Sequence, residues 1–207
     1  MDISSNKFPP ITTENPLILA SASPRRKRLL EQIRLPFVIM PSNADENHVD
    51  GGPSVIACHH AGKKARVIRS QVPSQWILGA DTIVVLGDKI LGKPKDHDDA
   101  RSMLRFLSGK EHEVITGFCI IDPSGAIRHC ESVSTLVRIK DLTEDEIIIY
   151  IETSEPFGKA GSYAIQGIGS FMVESISGDY SNVVGLPVCS VIKALLELGA
   201  LDHFPVR

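Results

Sequence analysis

Apolar and polar positions alternate along this chain in blocks that predict a mixed α/β fold. Leu17–Ala20 is a short, continuously apolar run, the pattern of a buried strand. Ser23 and Pro24 then fit the N-cap and first position of a helix whose Leu29, Leu30 and Ile33 share a face. Phe37–Met40 reads as a second strand, and "PSNADENHVDGGP" after it as a long acidic loop. A helix from about Ser54 to Ser70 turns Ala61, Ala65 and Ile68 inward. "WILGADTIVVLGDKIL" reads as a strand, a kink at Gly79-Ala80-Asp81, and a hairpin turning at Gly87-Asp88. Ala100, Met103, Leu104 and Leu107 make the apolar stripe of a helix over His97–Ser108. "HEVITGFCIID" and "ESVSTLVRIK" flank Pro123-Ser124-Gly125 as a long hairpin. Thr143 and Glu146 form a capping box for a helix through Tyr150. "EPFGKAGSYAIQGIG" is a Gly-rich loop region, "FMVESI" a strand, and Val188–Leu198 an amphipathic closing helix. Alternating elements early and a long hairpin late predict a mixed sheet flanked by helices, with a groove between two lobes.

Composition narrows this picture. A chain of 207 residues, 43% of them hydrophobic, can bury one good core, arranged in one lobe or two. A net charge of -3 and a pI near 6.2 exclude wholesale coating of nucleic acid or membrane, so any anion site must be a local concentration of Arg and Lys. No run approaches the roughly 18 apolar residues of a membrane span. The first sixteen residues carry Asp2 and Glu14 and no apolar core, unlike a secretory or transit peptide. They read as a poorly ordered tail, with 17–207 as a single domain. Cys58, Cys119, Cys130 and Cys189 are scattered without a C-x-x-C, and read as reduced, mostly buried thiols of an intracellular protein. Cys58-His59-His60 cannot converge on one metal ion, because consecutive helix positions point about 100° apart.

The candidate chemistry begins where the first strand meets the first helix. Arg25 and Arg26 sit in a first turn, where cations oppose the helix dipole unless an anion compensates, and a helix N-terminus is a ready anion seat. Ser23 is better explained as the helix cap than as a nucleophile, since no G-x-S-x-G surrounds it. "GDKILGKP" matches the first seven positions of a Walker A loop, but its eighth is Pro94, where Ser or Thr must stand, and its glycine is explained by a hairpin turn. Lys93, pinned between Gly92 and Pro94, is placed to meet a phosphate, although by itself it reads first as a solvated surface lysine. Asp81 follows an apolar run at the mouth of a strand, where it is either functional or a turn-former bonded to its own backbone. Asp45 and Glu46 alone read as a solvated loop, and Gln166 as a base reader or a turn residue. Together, the cations Arg25, Arg26, Lys64, Lys93 and Lys159 and the carboxylates Asp45, Glu46 and Asp81 suit a phosphorylated substrate held with a divalent metal.

In register, "LILASASPRRKRLL", "ADE", "KKA", "GADTIVVLGDKILGKP", "LSGKEHEVITG", "EPFGKAGSYAIQG" and "YSNVVGLP" resemble the Maf family of nucleotide pyrophosphatases from about Leu17 to Leu198. The resemblance implies an elongated, ITPase-like α/β fold with a deep nucleotide-binding cleft between two lobes, often a homodimer, in the cytoplasm. It implies cleavage of nucleoside triphosphates between the α- and β-phosphates with a divalent cation, Mg²⁺ or Mn²⁺. Carried over position by position, Ser23 to Arg26 become a phosphate clamp, Glu46 a metal ligand, and Asp81 the proton acceptor and a second metal ligand. Lys64 and Lys93 join the catalytic set, and Lys159 the substrate site. Arg25, Thr82 and Gln166 match the subgroup acting on dTTP and UTP rather than the one acting on 7-methyl-GTP. Lys63 and Gly158 depart from the family's usual acidic residues without touching that set. A contrasting reading is a regulator of septum formation that acts by binding; intact Asp81, Glu46 and Lys93 favour hydrolysis, because a pure binder needs no base.

Overall fold

A computed structural model describes residues 8–44 and 49–205. Strand β1 (Leu17–Leu19) is wholly buried and leads into helix α1 (Pro24–Gln32), whose N-cap Ser23 accepts from the Arg26 N–H with Pro24 in the first turn. Strand β2 (Phe37–Ile39), helix α2 (Pro53–Arg69), strands β3 (Ile77–Leu86) and β4 (Lys89–Leu91) and helix α3 (His97–Leu107) follow. The long hairpin is β5 (Glu111–Ile121) and β6 (Ile127–Ile139). Helix α4 (Glu144–Glu152) carries the capping box between Thr143 and Glu146. Strand β7 (Val173–Ser177) and helices α5 (Tyr180–Val184) and α6 (Val188–Glu197) close the chain. This is the mixed α/β sheet flanked by helices that the patterning predicts.

The sheet runs β2-β1-β3-β5-β6-β7, with β4 also on β3. β1 is parallel to β2 and β3, whereas β3, β5, β6 and β7 pair antiparallel. One edge of β3 pairs with β5 from Ile77 to Val85. The other edge pairs with β1 at Ile77 and Leu78, and with β4 only from Val84. Between those two partners the sheet is split, and Asp81 and Thr82 lie in the split. Two hydrophobic cores stand on either side of it. One joins Leu19, Leu30, Leu78, Phe118 and Leu195, and the other Val84, Leu104, Val137, Ile147 and Tyr150.

Three expectations change. β3 runs unbroken through 79–81, so there is no kink. Gly79 is needed because α2 lies on the strand: a Cβ there would come 2.2 Å from the Ala61 carbonyl oxygen. Asp81 is consequently mid-strand, not at a strand end. The stretch 8–16 is also packed rather than poorly ordered. Ile11 is buried and its N–H donates to the Ala200 carbonyl, Phe8 stacks edge-on against Trp76, and the Trp76 indole donates to the Pro9 carbonyl at 3.0 Å. Finally, Cys119 and Cys130 form a disulfide, with Cα atoms 4.2 Å apart, while Cys58 and Cys189 are free thiols. The register of the hairpin places the two cysteines directly opposite each other, a proximity that a separation of eleven positions conceals in the sequence. The expectation of four reduced thiols is thus corrected, and the argument from them to an intracellular protein falls with it. Among the described residues, no helix is long and apolar enough to cross a membrane.

Candidate active site

The split in the sheet opens into a cleft of about 530 Å³, a size that holds a small organic ligand. Ser23, Arg25, Arg26, Lys64, Asp81, Thr82, Lys93, Lys159 and Gln166 all line it, so segments spread from the first helix to the Gly-rich loop converge on one site. Glu46 lies outside the described residues. Five Lys and Arg side chains face one carboxylate, Asp81, among the described lining residues. Such a wall selects an anion of several charges.

Side-chain alternation along β3 sends Asp81 to the α2 face and Thr82 to the opposite one. On the α2 face, the Lys64 ammonium donates to Asp81 Oδ1 at 2.5 Å, and His60 Nδ1 lies 3.4 Å from Asp81 Oδ2. Asp81 is only 6% exposed, so this pairing is what makes a carboxylate tolerable in mid-strand. Lys64 and His60 are one helical turn apart, which is why both reach the same carboxylate. Gly117, the register partner of Asp81 on β5, lets α2 come this close: a Cβ there would sit 2.4 Å from the backbone of Ala57 and Cys58. In sequence, His60 reads only as one of three histidine and cysteine neighbours unable to share a metal; its spacing of four from Lys64 is the signal for its actual place.

On the other face, Thr82 does not project alone. Its hydroxyl accepts from Arg26 Nη2 at 3.0 Å and bonds the Thr116 hydroxyl at 2.9 Å. Arg26 also donates from Nε to the Gly185 carbonyl at 2.7 Å and from Nη1 to Ser21 Oγ at 3.0 Å. The buried guanidinium is therefore held in one orientation by three partners. The "YSNVVGLP" motif contributes through Gly185, just after α5, while Asn182 ties α5 to the Val114 carbonyl and to Thr135. Ser23 is a cap, as its surroundings predict.

Arg25 and Lys159 form the cationic wall toward the Gly-rich loop. Burial pulls both pKa values below their ordinary range, and for Lys159 the Arg25 charge adds to the effect. Part-desolvated cations bind anions more strongly than solvated ones, since the local dielectric is lower. Behind Tyr163, which lines the cleft, burial pushes the His112 pKa down to about 4, and its Nε2 pairs with the Tyr163 hydroxyl at 2.7 Å.

No group of three or more His, Cys, Asp or Glu side chains that could hold a metal occurs among the described residues. A cation bound together with a phosphorylated ligand would need no such cage: Mg²⁺ commonly takes one or two carboxylates, phosphate oxygens and water. Asp81, the acidic group of a cationic cleft, fits that donor set.

The chain has relatives among known proteins. A family model described as Maf-like protein matches residues 16–198. The dTTP/UTP pyrophosphatase of Ruminiclostridium cellulolyticum is 52% identical over 83% of this chain and 90% of its own length. That of Syntrophotalea carbinolica is 47% identical over 91% and 87%, and that of Pyrococcus furiosus 47% over 88% and 95%. A solved dITP/XTP pyrophosphatase from Mycobacterium abscessus aligns at 14% identity over 61% of this chain and 75% of its own, with a TM-score of 0.37.

Proposed function

This chain belongs to the Maf-like family, and we propose that it hydrolyses dTTP and UTP between the α- and β-phosphates, giving the nucleoside monophosphate and pyrophosphate. The observation that carries the reading is the cleft itself: a cation-lined groove with one buried carboxylate clamped between Lys64 and His60. A site that only bound phosphate would gain nothing from a buried carboxylate among its cations.

In this reading Arg25, Arg26, Lys93 and Lys159 cancel charge on the β- and γ-phosphates and make pyrophosphate a better leaving group. Asp81, oriented by Lys64, accepts the proton of the water that attacks the α-phosphorus. Asp81 and Glu46 would hold a divalent cation, Mg²⁺ or Mn²⁺, which supplies further neutralisation of phosphate charge. Gln166 reads the base. A uracil or thymine edge offers acceptor, donor and acceptor at O2, N3–H and O4, and a Gln amide can both donate and accept. A purine would leave buried polar groups unpaired, at roughly 1–3 kcal/mol each. Thr82 acts by holding Arg26 in the phosphate clamp rather than by facing the base, since its hydroxyl is already engaged.

Hydrolysis of dTTP in ¹⁸O-labelled water tests the bond cleaved. Attack at the α-phosphorus leaves the label in the monophosphate and none in pyrophosphate. Labelled pyrophosphate, or release of orthophosphate as the first product, would overturn the assignment.

A further inference from the structure

The loop carrying Gln166 has no regular secondary structure from Tyr163 to Gly167, so something else must fix its path. Two side chains do so. The buried Tyr150 hydroxyl accepts from the Ala164 N–H at 3.2 Å, just before Gln166. The Glu155 carboxylate accepts from the Ile168 N–H at 3.2 Å and the Gly169 N–H at 2.7 Å, just after it. The loop is thus gripped on both sides of Gln166, by the Tyr150 hydroxyl before it and the Glu155 carboxylate after it.

The glycines of this loop are explained by the same pair. Gly167 adopts φ 79°, and a Cβ there would stand 2.1 Å from Glu155 Oε1. A Cβ at Gly169 would stand 2.6 Å from the Tyr150 hydroxyl and 2.5 Å from the Ala164 carbonyl oxygen. The backbone is wrapped around the carboxylate and the phenol, with no room for side chains between. Glu155 is in turn anchored: its N–H donates to Thr153 Oγ1 at 3.1 Å and its carbonyl accepts from the Lys159 ammonium. Its charge also acts on Arg25 and Lys159, the two cations of the neighbouring wall.

We propose that Glu155 is a positioning residue for base selectivity: by accepting the Ile168 and Gly169 N–H groups it sets the orientation of the Gln166 amide toward the pyrimidine edge. This rests on the reading of Gln166 as the base-reading residue. Glu155 itself is not among the cleft-lining residues, so it acts through the loop. A carboxylate accepting two backbone N–H groups is a strong and directional tether. A neutral amide at the same place keeps one acceptor oxygen and presents N–H₂ to the other donor, leaving it unpaired.

The test is kcat/KM for dTTP and for GTP in the wild type, Glu155→Ala, Glu155→Gln, Gln166→Ala and the Glu155→Ala/Gln166→Ala double variant, with thermal melts on each. Gln166→Ala should reduce the dTTP-over-GTP ratio about tenfold or more. Glu155→Ala should reproduce most of that loss, Glu155→Gln a smaller part, and the double variant should be no less selective than Gln166→Ala alone. Losses that multiply in the double variant, or a Glu155→Ala enzyme that keeps the wild-type ratio while Gln166→Ala loses it, would overturn the proposal. An unchanged ratio in Gln166→Ala would instead remove the base-reading role, and this inference with it. If Glu155→Ala does not fold, Glu155→Gln decides: an unchanged ratio overturns the proposal.

Discussion

In the proposed reaction the chemistry turns on Asp81, and its surroundings show why a carboxylate can stand in the middle of a buried strand. The Lys64 ammonium at 2.5 Å compensates its desolvation, and α2 rather than the strand supplies that partner. Substituting Asp81→Asn keeps the shape and a hydrogen-bonding oxygen for Lys64 but removes the basicity. Turnover should fall by roughly 10²–10⁴, the usual worth of a general base, while nucleotide binding persists. Steady-state pyrophosphate release together with a calorimetric titration checks this, and near-normal turnover would remove Asp81 from its role. The sequence made this residue conspicuous through its polarity after an apolar run. It misplaced it at a strand end, because the lysine that permits a mid-strand carboxylate lies seventeen positions upstream on another element. Thr82 shows the opposite limit: its place in a motif was legible, but not that its hydroxyl would be spent on Arg26 and Thr116.

Among the elements, α2 and its fit to β3 and β5 decide the site's geometry. Gly79 and Gly117 form a trough in which the helix backbone lies, and this sets how far Lys64 and His60 stand from Asp81. Gly117→Ala would force a methyl group against the Ala57–Cys58 backbone. Overpacking of this kind costs on the order of 1–3 kcal/mol, so the thermal midpoint should drop by several degrees. Turnover at saturating dTTP should fall as well, because the helix must lift beside Asp81. Differential scanning fluorimetry and kcat on the same preparation check both, and a variant with unchanged midpoint and rate would show that the close approach is not needed. Local signals were readable here: the Ser23 cap, the Thr143–Glu146 capping box and the apolar stripe of α3 all follow from short spacings. Non-local ones were not. A glycine that admits a helix looks in sequence like a glycine that kinks a strand. Likewise, Cys119 and Cys130 become partners only once the hairpin register is known.

At the scale of the whole molecule, function follows from the split in the sheet. Where β3 loses its partner between β1 and β4, two separately packed cores leave a groove, and the motifs from α1, α2, β3, the loop after β4 and the Gly-rich loop all empty into it. The α/β class was legible from element order, and the convergence of the motifs from the family resemblance. The packing of residues 8–16 against Trp76 and Ala200 was not, since Phe8 and Ile11 are isolated apolar residues in a polar stretch. On the proposed reading, this groove hydrolyses pyrimidine triphosphates that offer an acceptor–donor–acceptor edge. The most direct measurement is kcat/KM for pyrophosphate release from dTTP, UTP, CTP, GTP and 7-methyl-GTP by the full chain with Mg²⁺. dTTP and UTP should lead every other nucleotide by about tenfold or more. A preference for GTP or 7-methyl-GTP, or equal rates across the panel, would contradict it.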